Sequence, residues 1–170
     1  MIKKIFFSMF FLIFLAGTSF AAGSSDSGSK ETLYDKAVQQ IKMAKKLEKK
    51  GKTEKAIKRY ERAIKFLVKS NKMKPNKADT LNYLGFATRK IGDFENGEKY
   101  YLQGLAIEPN HIGINEYLGE LYVATNRMNL AKERLNVLEG CNCEEYNLSL
   151  IHISEPTRPR LISYAVFCLK

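Results

Sequence analysis

Side chains of matching size recur 34 residues apart over the middle of this chain, and that recurrence leaves it little choice of fold. Leu84, Gly85, Thr88, Gly92, Gly97, Tyr101 and Gly104 are followed at that spacing by Leu118, Gly119, Tyr122, Asn126, Ala131, Leu135 and Leu138. A period of this length holds two helices and two short turns. Each unit is too small to bury an apolar face alone, so units of this kind gain stability by stacking on one another. Within one period, Ala78 to His111, Leu81 and Leu84 put apolar bulk on the inner face of a first helix, and Gly85 lets a partner helix come close. Gly92 and Asp93 make the turn. Gly97 and Gly104 then place small residues, and Tyr101 a large one, on a second helix that Pro109 stops.

An earlier copy is present with a different spacing. Ala56, Tyr60 and Ala63 repeat the pattern of Gly97, Tyr101 and Gly104 at an offset of 41, and the seven extra residues fall between Ala63 and Pro75. Seven residues are nearly two helical turns, so a second helix can lengthen without turning Ile57, Ile64, Phe66 and Leu67 away from the core. Ahead of it, Tyr34, Ala37, Val38, Ile41, Ala44 and Leu47 recur at threes and fours, the spacing of one helical face, with Lys42, Lys45, Lys46, Lys49 and Lys50 on the other. Gly51 ends that helix. Behind the third copy, Gly140 is a helix stop and residues 143–146 begin a capping helix. The pattern therefore predicts helices at about 35–50, 53–72, 78–91, 94–107, 112–125 and 128–139.

Leu81, Leu84, Gly85, Gly92, Asp93, Phe94, Gly97, Tyr101 and Pro109 together resemble the tetratricopeptide repeat family. The resemblance implies an all-α solenoid of helical hairpins with three repeats, about six helices, at about 37–77, 78–111 and 112–145. Gly97 and Gly104 stand where Ala is usual, and each costs about 1 kcal/mol of helix propensity. In this family first-helix residues line a concave groove that holds an extended peptide or a partner helix. The matching positions here are Lys45 and Lys49, then Asn82, Phe86 and Arg89, then Glu116 and Glu120. On that reading Asn82 would hold a peptide backbone through its paired donor and acceptor, Phe86 would offer an apolar contact, and Arg89 would take a carboxylate. The acidic pair would prefer a basic segment. Glu116 and Glu120 depart from the family's clamp for a C-terminal carboxylate, so that clamp is not carried over.

The two ends of the chain read differently from its middle. Lys3 and Lys4 precede an apolar run over residues 5–16, and Ser19, Phe20 and Ala21 supply the small residues a signal peptidase requires three and one positions before its cut. The run is short for a membrane span, which needs roughly 20 residues. Thr18 stands where a lipid-bearing cysteine would have to be. These features predict a bacterial signal peptide over residues 1–21, cleaved after Ala21, then a flexible leader over 22–30 and a periplasmic or secreted mature protein. At the other end, residues 148–158 and 162–169 resemble the translation of the two constant segments of a transposase-type sequencing adapter. Pro159, Arg160 and Leu161 fall where such an adapter carries its variable index. On this reading the domain spans 31–147, residues 148–170 are an artefactual tail, and few long-range contacts are expected past Asn147.

With 170 residues and 45% hydrophobic content the chain is long enough for one domain with a real core. Its net charge of +10 is uneven: residues 30–77 hold 17 Lys or Arg against 5 Asp or Glu, while residues 78–147 hold 6 against 11. A solvated lysine face accounts for this, and so does docking of the first repeat on an anionic envelope polymer, a lipid surface or the acidic end of another copy. Nucleic acid is disfavoured, since the lysines lack an aromatic stacking series. No Ser/His/Asp constellation, phosphate-binding glycine loop or pair of placed acids is present. His111, the one histidine ahead of the tail, sits in a turn after Pro109, as structural histidines do. No cofactor or metal site is expected. Cys141 and Cys143 are separated by one residue, a strained loop for a disulfide, so cap packing or free thiols is the favoured reading. Together these features predict a non-catalytic exported scaffold or adaptor that binds a protein or peptide. The alternatives are an envelope-surface binder and an accessory subunit of an envelope enzyme complex.

Overall fold

The computed structural model describes residues 31–141 and 143–154; the predicted signal peptide, the leader and residues 155–170 lie outside them. Seven helices occur among the described residues, and no strand. They are α1 (Leu33–Lys49), α2 (Thr53–Met73), α3 (Ala78–Lys90), α4 (Phe94–Ile107), α5 (Ile112–Ala124), α6 (Met128–Leu138) and α7 (Glu144–Ser154). Six of the seven match the helices predicted from the pattern to within about two residues at each end. The helices pack as consecutive hairpins, α1 with α2, α3 with α4 and α5 with α6, and α2 meets α3 as α4 meets α5. The first helices also touch one another, α1 with α3 and α3 with α5, so they share an inner face.

Local chemistry sets the ends of these helices. Thr32 caps α1 in a reciprocal box: its hydroxyl accepts from the Asp35 backbone N–H at 3.1 Å, while the Asp35 carboxylate accepts from the Thr32 N–H at 3.0 Å. Asp93 caps α4 by accepting from the Asn96 N–H. The turn inside each hairpin passes through a left-handed residue: Gly51 at φ 68°, Gly92 at φ 95° and Asn126 at φ 58°. Asn is the side chain that tolerates this conformation best after Gly, which is why it can take the third turn.

Packing inside the hairpins follows the small–large–small pattern. Ala56, Gly97 and Ala131 are the fourth residues of α2, α4 and α6; Tyr60, Tyr101 and Leu135 are the eighth; Ala63, Gly104 and Leu138 the eleventh. A Cβ at Gly97 would meet the Gly85 carbonyl oxygen at 3.2 Å and the Arg89 nitrogen at 3.3 Å. One added to Gly85 would lie 2.5 Å from Cε1 of the fully buried Tyr101. The glycines therefore recover in close approach what they lose in helix propensity. As expected from the longer spacing, α2 has 21 residues against 14 in α4, and its far end leaves Val68 and Met73 exposed.

Two sequence expectations need correction. The turn leaving α6 brings the Cα atoms of Cys141 and Cys143 to 5.2 Å, and the two are joined by a disulfide rather than left free. The expectation of few long-range contacts past Asn147 also fails: α7 runs on to Ser154 and packs against α5 and α6, with Ile153 only 3% exposed. The open end of a helical stack is apolar, and a segment that puts an isoleucine over Gly119, whose added Cβ would sit 3.5 Å from Ile153 Cδ1, covers it. The fit is imperfect. Ser149 is buried there with a hydroxyl that has no hydrogen-bond partner among the described residues.

Two outcomes are expected in urea unfolding. Gly85→Ala forces the Tyr101 ring to shift and should cost about 1–3 kcal/mol of stability. Ser149→Ala removes the unpartnered hydroxyl and should raise stability by about 1 kcal/mol; a loss there would show that the hydroxyl is satisfied.

Candidate functional site

The inner face shared by α1, α3 and α5 gathers most of the residues that the family resemblance implies for a groove. Phe86, on the third turn of α3, stands at its centre. Its ring meets Tyr60 of α2 edge-on, with centroids 5.9 Å apart, and Tyr117 of α5 at 4.9 Å with a 46° tilt. Three cations surround it. Lys45 Nζ of α1 is 4.5 Å from the Phe86 centroid, Lys90 Nζ 5.7 Å and the Arg89 guanidinium carbon 5.8 Å. Such placements over the negative face of a ring are favourable by about 0.5–2 kcal/mol each, depending on how much water is excluded.

Carboxylates from both sides complete the cluster. Arg89 pairs with Glu120 of α5 at 2.6 Å, and Lys90 pairs with Glu48 of α1 at 3.2 Å. Glu48 also accepts a hydrogen bond from the Tyr60 hydroxyl at 2.9 Å, which fixes that carboxylate between two hairpins. Glu116 is 7% exposed. Burial, then the charges of Glu120 and of Glu145 on α7, push its carboxyl up to about 7, against the opposing pull of Lys45 and Arg89. Although much of the Lys45 side chain meets solvent, burial of its amine and the neighbouring Lys90 hold its ammonium below the ordinary lysine range.

Set against the sequence expectations, Lys45, Phe86, Arg89, Glu116 and Glu120 converge, and two residues do not behave as anticipated. Lys49 is exposed one turn further along α1 and takes no part in the cluster. Asn82, expected to reach a peptide backbone, is 7% exposed, packs under Gly113 of α5, and has a buried Oδ1 with no partner among the described residues. A Cβ at Gly113 would lie 2.8 Å from Asn82 Nδ2, so the side chain is covered by the next repeat. Phe86 is likewise covered, at 3% exposed, and Arg89 is already engaged by Glu120. Sequence reasoning missed Tyr117, Lys90 and Glu48. A signal for the first existed: Tyr83 and Tyr117 stand 34 residues apart and so hold the same place in α3 and α5.

His111 has the structural role its turn suggested. Its Nδ1 accepts from the Ile114 N–H at 3.2 Å and caps α5, which leaves the ring proton on Nε2, 3.2 Å from Asp79 Oδ1. Away from the inner face, a cavity of about 480 Å³ opens between the start of α1, the end of α2 and the start of α3. Tyr34, Met73, Lys77 and Asp79 are among the residues around it.

Residues 78–111, the α3–α4 hairpin with its flanking turns, match the family model described as tetratricopeptide repeat. That hairpin is a tetratricopeptide repeat. No curated protein matches it. Among solved structures it is similar to the first TPR of Spaghetti (RPAP3) bound to the HSP90 peptide SRMEEVD, with 20% identity and a TM-score of 0.48 over 74% of this chain and 96% of that one. It is also similar to the second TPR domain of the human RPAP3 protein in complex with the HSP70 peptide SGPTIEEVD, with 21% identity and a TM-score of 0.46 over 72% and 98%. The hairpins on either side of this repeat, α1–α2 and α5–α6, place their small and large residues at the same helix positions, and α7 follows them as a terminal helix.

The raised carboxyl of Glu116 gives a pH dependence whose sign is fixed. Between about 4.5 and about 7 the folded protein holds a proton that the unfolded chain has released, so stability should fall as pH rises through that window. Glu116→Gln, which cannot ionise, should flatten that slope in denaturant titrations at a series of pH values; an unchanged slope would show that Glu116 ionises normally.

Proposed function

We propose that this protein is a non-catalytic adaptor of the bacterial envelope that holds a segment of a partner protein against the inner face of α1, α3 and α5. The observation that carries the reading is the convergence of Lys45, Phe86, Arg89, Tyr117, Glu116 and Glu120, drawn from three helices, on one surface. Aromatic rings beside charged groups of both signs are the chemistry of a recognition surface, able to seat side chains and to fix their order. The match of residues 78–111 to a repeat family whose first helices line a peptide groove points the same way. Export rests on the N-terminal sequence alone.

A second reading has its own observation. The lysines and arginines of α1 and α2, among them Lys42, Lys46, Lys55, Lys58, Arg62, Lys65, Lys69 and Lys72, are exposed and form a basic outer surface on the first hairpin. That surface suits an anionic polymer or lipid head group, bound through charge alone.

Capture from envelope extract by the immobilised protein separates the two. Inner-face binding should survive physiological salt and drop by about tenfold or more in Arg89→Ala, checked for folding by circular dichroism, while Lys65→Ala/Lys69→Ala/Lys72→Ala leaves it unchanged. Capture that ignores Arg89 and disappears with the lysines or with salt would overturn the inner-face reading in favour of the basic surface.

A further inference from the structure

Three cations crowd one ring, and they are not equivalent. Arg89 is tied to Glu120 and Lys90 to Glu48, whereas Lys45 has no carboxylate of the described residues within ion-pair distance. Lys45 is nonetheless the closest of the three to Phe86, at 4.5 Å, and it lies 5.7 Å from the Tyr117 centroid as well. It lies over both rings. Its stem is exposed and flexible, so it can swing away at little cost to the helix that bears it.

The surroundings it leaves behind act on a cation in two directions: burial and the neighbouring Lys90 work against an ammonium there, while Glu116, Glu120, Glu48 and the rings favour it. Two aromatic rings tilted against each other present negative faces. Glu116, which precedes Tyr117 on α5, is buried, and the charged groups acting on it are Lys45 of α1, Arg89 of α3, Glu120 of its own helix and Glu145 of α7. A carboxylate arriving from a partner would meet those acids, while the one guanidinium suited to it is already held. An arriving ammonium would meet the rings, with Arg89 and Lys90 beside them already paired to carboxylates, and an acid that gains a counter-charge.

We propose that Phe86, Tyr117 and Glu116 form a cation site on the inner face, that Lys45 fills it as the chain's own stand-in, and that a partner docks by seating a lysine side chain there in its place. The inference rests on the inner face being the docking surface, and it specifies what that surface recognises: an extended segment bearing a lysine opposite α5. Lys45 then sets a threshold, because a partner must displace it before it can bind.

The test uses the full chain and a single capped amino acid, N-acetyl-lysine-N-methylamide, titrated while the ring resonances of Phe86 and Tyr117 are followed by NMR. Lys45→Ala should bind the probe about tenfold more tightly than the unmodified protein, the factor a partly desolvated cation–π contact supplies. The norleucine analogue, which keeps an aliphatic stem and lacks the ammonium, should shift neither ring. Adding Glu116→Gln to Lys45→Ala should abolish the gain. Equal affinity in the two proteins, equal binding of the norleucine analogue, a gain that persists without the Glu116 carboxylate, or no shift at tens of millimolar probe would each overturn the proposal. If partner capture still depends on Arg89 while any of these occurs, the lysine site is wrong and the docking surface stands.

Discussion

The Tyr101 ring occupies the space that a side chain at position 85 would need, and the Gly85 carbonyl closes off the space beside Gly97. Contact this close between α3 and α4 fixes how far apart their axes lie and how they are rotated, since a ring against a bare backbone leaves no slack. The same positions in the other hairpins carry Ala56 with Tyr60 and Ala131 with Leu135, so the geometry is repeated with modest changes of volume. Once each hairpin is fixed in this way, the first helices have to fall side by side, and the residues on their shared face are brought together without any loop to position them. The inner face is thus a by-product of packing on the opposite side of α3.

That origin explains the character of the face. Its residues sit on rigid helices, and the charges are arranged in order along it: Lys45 and Lys90 toward the first hairpin, Arg89 joined to Glu120 at the middle, Glu116 and Glu145 toward the end. The Arg89–Glu120 contact also links the second and third hairpins, as Lys90–Glu48 links the first and second, so the surface that would recognise a partner helps hold the stack together. At the outer edge Arg127 does similar work, reaching both oxygens of Glu98 at 2.9 and 2.7 Å across the α4–α6 boundary while lying over the Tyr122 ring.

What could be read from the sequence was whatever repeats. The hairpins, the left-handed turns at Gly51, Gly92 and Asn126, and the extension of α2 all follow from spacing, because helix geometry converts residue counts directly into faces. Most of the inner-face positions came from the family resemblance rather than from spacing. Their states came from neither. Whether Arg89 is open or engaged depends on the length of Glu120 one repeat away, and whether Asn82 is reachable depends on how closely Gly113 lets α5 approach; neither is a property of local sequence. Lys45 lying over Phe86 joins residues 41 positions apart in a repeat lengthened by insertion, where the 34-residue register gives no guidance. The terminal helix starts where a capping helix was expected, and only its packing past Asn147 was misjudged, for a different reason: an apolar end surface is covered by any segment with the right pattern, and residues 148–154 have enough of it to serve.

The long α2 carries a rule about how this chain can grow. A helix that gains seven residues turns its far end by only about 20° relative to the start, so the face that holds Leu67 in the core is preserved and the added length simply projects past its neighbour. An insertion of five would turn the same face by roughly 140° and tear Leu67 out. Length can therefore be added to an arm of this solenoid in near-heptad steps, and the projecting tip, where Met73 borders the cavity beside α1, is a place at which new surface can arise while the stack beneath it keeps its form.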